Sequence, residues 1–207
     1  MESKIKINLD EALSCGEPVV LELGCGARKK PGRIGIDCVD LPEVDIVTDL
    51  EQGLGFMPDD SVDQIHAEHV FEHLENFEGM MREVVRVLKG EGTCRVRVPH
   101  FTNPYGYSDY THKRLFGLYS FYYFVDQRHQ LRRKVPSHYT DIRIRILSQR
   151  LIFRSPFKLQ NMFRKLYGRI VNCCRWSQER YETAPWLFPC HAIEVVFAPE
   201  KRGEAPP

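Results

Sequence analysis

The chain has no apolar run approaching the ~20 residues of a membrane span, and its start, MESKIKINLDEAL, lacks the apolar core of a secretory signal. Its seven cysteines (15, 25, 38, 94, 173, 174 and 190) include no CxxC pair and are odd in number. This argues against a disulfide frame or a zinc knuckle and suits reduced thiols in a cytoplasmic protein. No GK[ST] closes a P-loop, no HExxH marks a zinc protease, and no internal repeat is visible. What is present is ordinary globular material. Of 207 residues, 43% are hydrophobic and 28% charged, enough for one domain over 1–200, with KRGEAPP (201–207) expected to be a disordered tail.

Charge is nearly balanced at +1, but unevenly spread. Residues 113–175 hold fifteen Lys and Arg against two acids, Asp126 and Asp141. Such a segment fits a nucleic acid or another anionic partner, or a solvated basic face docking on the acidic first half.

The first hundred residues alternate between strand and crossover. Val19–Leu23, Gly32–Asp37, Val44–Thr48, Val62–Ala67 and Thr93–Val98 read as five short strands. Between the last two, FEGMMREVVRVLK spaces Phe77, Met80, Met81, Val84, Val85 and Leu88 as one face of a helix. Strands joined by crossovers predict an α/β fold with a mostly parallel sheet. After His100 an aromatic-rich stretch predicts a loop and then a helix from about Thr111. Asp141–Phe153 alternates as a strand or hairpin, Lys158–Arg175 predicts a basic helix, and Ala192–Phe197 a last strand.

The stretch VVLELGCGARKKPGRIGIDCVD, residues 19–40, carries the functional signal. A strand, a Gly24-x-Gly26 turn, a second strand and Asp37 outline a ribose-binding unit. A dinucleotide site wants a third glycine, where this chain has Lys29, and a full helix facing the pyrophosphate. Only ten residues separate Gly26 from Asp37, Pro31 among them, so the crossover helix is a single turn or absent. A nucleoside without phosphates suits this turn. On the residues alone, Asp37 could instead cap a turn, and Asp49 could cap a short helix at 50–53.

E-L-G-C-G, G-I-D, D-I-V-T-D-L, VDQIHAEHVFEHL and EVVRVLKGEGTCRVRVP, in this order, resemble the class I S-adenosylmethionine-dependent methyltransferases. The likeness covers about residues 17–100 and is nearest the methyltransferase type 11 group, with a short first crossover. It implies a Rossmann-like three-layer sandwich whose seven-stranded sheet ends in an antiparallel strand, which Ala192–Phe197 could supply. It implies S-adenosylmethionine as cofactor, with Glu22 and the backbone at Gly24, Cys25 and Gly26 along the methionine moiety. Asp37 would hold the ribose diol, and Asp49 with Leu50 would meet the adenine edge. Ala67 and Glu68 would reach the methionine amino group, with His69 close by. The missing first helix leaves Arg28 or Lys29 to meet the methionine carboxylate.

Methyl transfer from a sulfonium is an in-line displacement in which alignment does much of the work, and a hydroxyl nucleophile also needs a base. His66, His69 and His73, with Glu68 and Glu72 between them, look like a metal cluster at first sight. They lie partly on a strand and partly a turn beyond it, pointing in different directions, so no metal is expected. The acid/base candidates follow the fifth strand: His100, Asp109 and His112, with Tyr105, Tyr107 and Tyr110 as walls. Asp109-Tyr110-Thr111-His112 also matches an Asp-x-Thr-His common in related methyltransferases, although Asp109 could simply cap a helix. The expected acceptor is a small molecule or a saccharide. RNA, an anionic lipid-linked substrate, or a non-catalytic role as a partner subunit are the alternatives, and oligomeric state is not legible.

Overall fold

The computed structural model describes residues 3–155 and 157–201. Eight strands form one sheet: β1 (Lys4–Ile5), β2 (Val20–Leu23), β3 (Ile34–Asp37), β4 (Ile46–Val47), β5 (Val62–Glu68), β6 (Leu88–Pro99), β7 (Ile144–Ile152) and β8 (Ala192–Pro199). Their order is β1-β4-β3-β2-β5-β6-β8-β7. The run from β4 through β6 is parallel, and β8 is antiparallel to both β6 and β7, as expected for the last strand. The eighth strand is β1, an antiparallel addition at the β4 edge that the sequence reading lacked.

Pairing register gives the sheet two unlike faces. On one, Ile36, Leu23, Ala67, Val96 and Val195 follow one another across five strands, all buried. Helix α2 (Phe77–Val87) covers this face with Phe77, Met80, Met81, Val84 and Val87, after Asn76 accepts from Gly79 N at its start. Aromatic residues from beyond β6 complete the layer. Phe116, Phe121 and Phe124 pack edge-on around Phe77 at 5.3, 5.8 and 5.6 Å. The helix expected from Thr111 does not form. The segment instead makes short 3-10 turns, and a bridge between His100 and Phe116 carries these rings to Phe77. Burying the rings of Phe116, Phe121, Tyr122 and Phe124 decides its path over helical propensity.

Arg86 of α2 ties the preceding loop down. It donates to Leu54 O (3.0 Å), Met57 O (2.9 Å), Glu83 (2.7 Å) and Asp59 (2.6 Å), while Glu83 accepts from Leu54 N at 3.0 Å.

The other face is charged. Glu22, His66 and Arg95 lie in one cross-strand row, and Glu68, Arg97 and Glu194 in the next. The crossover that would bring a helix here is one 3-10 turn, Gly26–Arg28. At the far edge, β7 pairs Ile146 with Phe197 and then Ser148 with Val196, a bulge at the exposed Leu147. The bulge reverses the alternation, so Ile142 and Ile144 before it and Leu151 and Phe153 after it are all buried. The expected basic helix is two helices, α3 (Lys158–Val171) and α4 (Arg175–Glu182). The break comes at Asn172, whose amide turns to β7, accepting from Leu151 N (2.8 Å) and donating to Leu151 O (2.7 Å). A short α1 (Leu9–Ser14) precedes the sheet.

Candidate active site

The carboxyl ends of β2, β3, β4, β5 and β6 converge, and each expected cofactor residue stands at one of them. Gly24 and Gly26 both take left-handed backbone, at φ 62° and 53°. Gly24 N and Cys25 N donate to Ile36 O at 2.8 and 3.3 Å, folding the turn back against β3. A side chain at Gly24 would also strike Val70, because a Cβ there falls 2.4 Å from Val70 Cγ2. Asp37 sits half-buried where β3 ends. Its Oδ2 accepts from Gly26 N at 2.9 Å and its Oδ1 from Val39 N at 3.0 Å. The carboxylate is held in place from both sides, with lone pairs left for a diol. One strand over, Thr48 N donates to Asp37 O at 2.9 Å and the exposed Asp49 caps the turn Leu50–Gln52 through Glu51 N at 3.0 Å. Burial, then the charge of Asp37, pushes the Cys38 thiol up, and the same two causes carry Cys25 to about 11. Both are protonated thiols at neutral pH, poor nucleophiles.

The segment after β5 begins with His69 in left-handed backbone (φ 58°), its N–H donating to Arg97 O at 2.9 Å. This bend delivers Glu72 and His73 to the loop after β6. Thr111 Oγ1 donates to Asp109 Oδ1 and stands 2.9 Å from His73 Nδ1, so it accepts from that ring. His112 Nδ1 donates to Gly106 O at 2.9 Å, and its Nε2 lies 3.5 Å from Asp109 Oδ2. The hydrogen bonds from Thr111 hold the Asp109 carboxyl below its usual range, so it is ionised. Asp109 and His112 therefore come together as expected, joined by His73 and Glu72. Neither partner was singled out as catalytic from the sequence, because almost forty residues separate them from His112 and no spacing rule links them.

Residues 26–96 match the family model of a methyltransferase domain. The fold is shared with a SAM-dependent methyltransferase from Archaeoglobus fulgidus at TM-score 0.56 and 18% identity, over 88% of this chain and 86% of that one. The YcgJ protein of Bacillus subtilis matches at TM-score 0.53 and 14% identity, over 94% and 98% of the two chains. A third match, at TM-score 0.50 and 17% identity over 93% and 89%, is in the complex of the Haloferax volcanii Trm112 methyltransferase activator with the putative methyltransferase. No curated protein matches the sequence. Residues 26–96 thus resemble a methyltransferase domain, on a fold shared with SAM-dependent methyltransferases.

Several expected residues do other work. His100 turns inward, its side chain fully buried, with Nδ1 2.8 Å from Thr102 Oγ1 and Nε2 3.1 Å from Glu182. With both ring nitrogens engaged, it locks the loop to α4 and cannot reach a substrate. Glu22 caps the crossover, accepting from Lys30 N at 2.9 Å beside Arg33 (3.6 Å). Glu68 leans over the charged face onto Arg97 and Ala67 is buried, though both line the cleft that reaches Gly24, and Val70 packs against the turn. Lys29 is tied to Asp45 at 2.6 Å, which leaves the exposed Arg28 as the remaining cation for a methionine carboxylate. On the charged face, burial and then Arg33 depress the His66 pKa, keeping it neutral within a 330 Å³ cleft.

Could the cluster hold a metal? Glu72, His73 and His112 bring their ligand atoms within 4.8 Å of one another, a grouping that could hold a metal ion. Among the described residues no helix is long and apolar enough to cross a membrane.

Proposed function

We propose that the protein is an S-adenosylmethionine-dependent methyltransferase that moves a methyl group to a hydroxyl of a small-molecule or saccharide acceptor, with His112 as the general base. Backbone at Gly24, Cys25 and Gly26 would hold the methionine moiety, Asp37 the ribose diol, and Asp49 with Leu50 the adenine edge. S-adenosylmethionine, when bound, supplies an electrophilic methyl on a sulfonium. The left-handed turn and the twice-anchored Asp37 fit this nucleoside, and no helix N-terminus stands behind the turn for a diphosphate.

One observation supports the hydroxyl acceptor. His112, its Nδ1 tied to Gly106 O, sets Nε2 beside the ionised Asp109, at the loop where an acceptor would enter. An alcohol must lose its proton as it attacks, and Nε2 takes it. Asp109 then stabilises the imidazolium that forms. Tyr105, Tyr107 and Tyr110, all exposed, line the approach.

The test has two stages. Calorimetric titration with S-adenosylhomocysteine, beside NAD, should give binding selective for the former and about 100-fold weaker in Asp37→Ala, which loses a charge-assisted diol contact and the turn anchor. With labelled methyl donor and hydroxylated acceptors, His112→Gln should lower kcat by about 100-fold or more, with S-adenosylhomocysteine affinity unchanged. Folded wild-type protein that binds no S-adenosylhomocysteine alone would sink the enzyme reading and favour a partner-dependent subunit. Full turnover by His112→Gln would remove the base.

A further inference from the structure

Helix α3 has its apolar stripe on the wrong side for a globular protein. Leu159, Met162, Phe163, Leu166 and Ile170 recur at helical spacing and are 68%, 58%, 58%, 56% and 60% exposed. The side turned to the protein is narrow. It holds the buried Val171, together with Gly168, where an added Cβ would lie 3.1 Å from Phe153. Five large side chains along a helix of about 21 Å are far more than scattered surface hydrophobics. Lys158, Lys165 and Arg169 flank the stripe, and no acidic residue occurs between Lys158 and Arg175. Beside the helix lies a 320 Å³ cleft lined by Arg150, Arg154, Arg164, Lys165 and Arg169. Nearby, Phe188 stacks on Tyr167 of α3 at 4.7 Å, in a segment whose Trp186 and Leu187 are 63% and 84% exposed.

We propose that α3 docks the protein on an anionic lipid surface. Its apolar stripe would enter the headgroup boundary, and the arginine-lined cleft would take lipid phosphates. The chemistry is that of an interfacial helix: one apolar face, Lys and Arg at its flanks, aromatic anchors alongside, and a length that lies in the interface and does not span it. A nucleic-acid surface would want several aromatics interleaved with cations, whereas four of the five stripe residues are not aromatic and only Phe163 is. The inference rests on the proposed activity only for its purpose. A docked enzyme would meet an acceptor carried on a lipid, such as a lipid-linked saccharide.

The experiment is flotation of the full chain with vesicles of phosphatidylcholine alone or with added phosphatidylglycerol, at rising salt, with S-adenosylhomocysteine affinity measured on the same samples. Binding should be about tenfold or more stronger on the anionic vesicles and weaken with salt. The double variant Phe163→Glu, Leu166→Glu should abolish it while leaving S-adenosylhomocysteine affinity intact. Lys158→Gln with Lys165→Gln and Arg169→Gln should remove the preference for anionic lipid. Absence of binding to either vesicle, by protein that still binds S-adenosylhomocysteine, would overturn the docking proposal alone. So would a stable dimer that Phe163→Glu, Leu166→Glu splits, which would assign the stripe to a second copy. Tight, salt-sensitive RNA binding without vesicle binding would overturn it too.

Discussion

The two halves of this chain treat apolar surface in opposite ways. Of nineteen large hydrophobic side chains that stand exposed among the described residues, only Ile5 and Val39 precede residue 101. The first half buries what it has, pins its loops with Arg86 and Asp37, and spends its charge on one face of the sheet. The second half builds a compact aromatic wedge against Phe77 and leaves a stripe of aliphatics in water. A cofactor common to a whole class needs one fixed geometry, so its half is assembled from joints that tolerate little. On the proposed reading acceptors differ, and the half that would meet them is irregular and open.

If that contrast is real, substitutions of similar size should differ sharply in cost. Gly24→Ala should have the largest effect, about 3 kcal/mol of stability, since it forces a side chain into left-handed backbone and onto Val70. Urea unfolding would read it, and a cost below about 1 kcal/mol would mean the turn is looser than its contacts suggest. Arg86→Met should come next, at about 2 kcal/mol. It keeps the apolar stem but strips donors from Leu54 O and Met57 O and leaves Glu83 without its cation. Leu166→Ser should be the smallest, within about 0.5 kcal/mol, because the side chain already stands in solvent. A large loss there would erase the contrast and argue that α3 is packed against something in solution.

Much of the first half could be read from sequence because its signals are local. The short crossover, the glycine turn, Asp37 at the strand end and the period of α2 each sit within a window of a few residues. Asp49 was left between two readings, and its side chain does cap the turn at 50–52. The second half escaped because its decisive contacts are long-range. His100 offered an acid/base pattern, but Glu182, eighty-two residues on, claims its Nε2. The helix expected from Thr111 lost to ring packing. The spacing of 159, 162, 163, 166 and 170 is legible, but periodicity does not say which way a stripe faces, and core is the usual answer. The two-residue β1 gives almost no sequence signal.

The strand order has a consequence for how the chain comes off the ribosome. Within the sheet β7 pairs with β8 alone, and β8 is also what joins it to β6. Residues 144–152 therefore wait for 192–199 before they join the sheet, although Gln149 and α4 already have partners in the segment after β6. Until then β6 offers an open edge with its hydrogen-bonding groups unmet, and an aliphatic helix hangs beside it. Such an intermediate is a substrate for chaperones or for stray pairing. A chain stopped before residue 192 would keep the glycine turn and Asp37, yet have no slot in the sheet for residues 144–152.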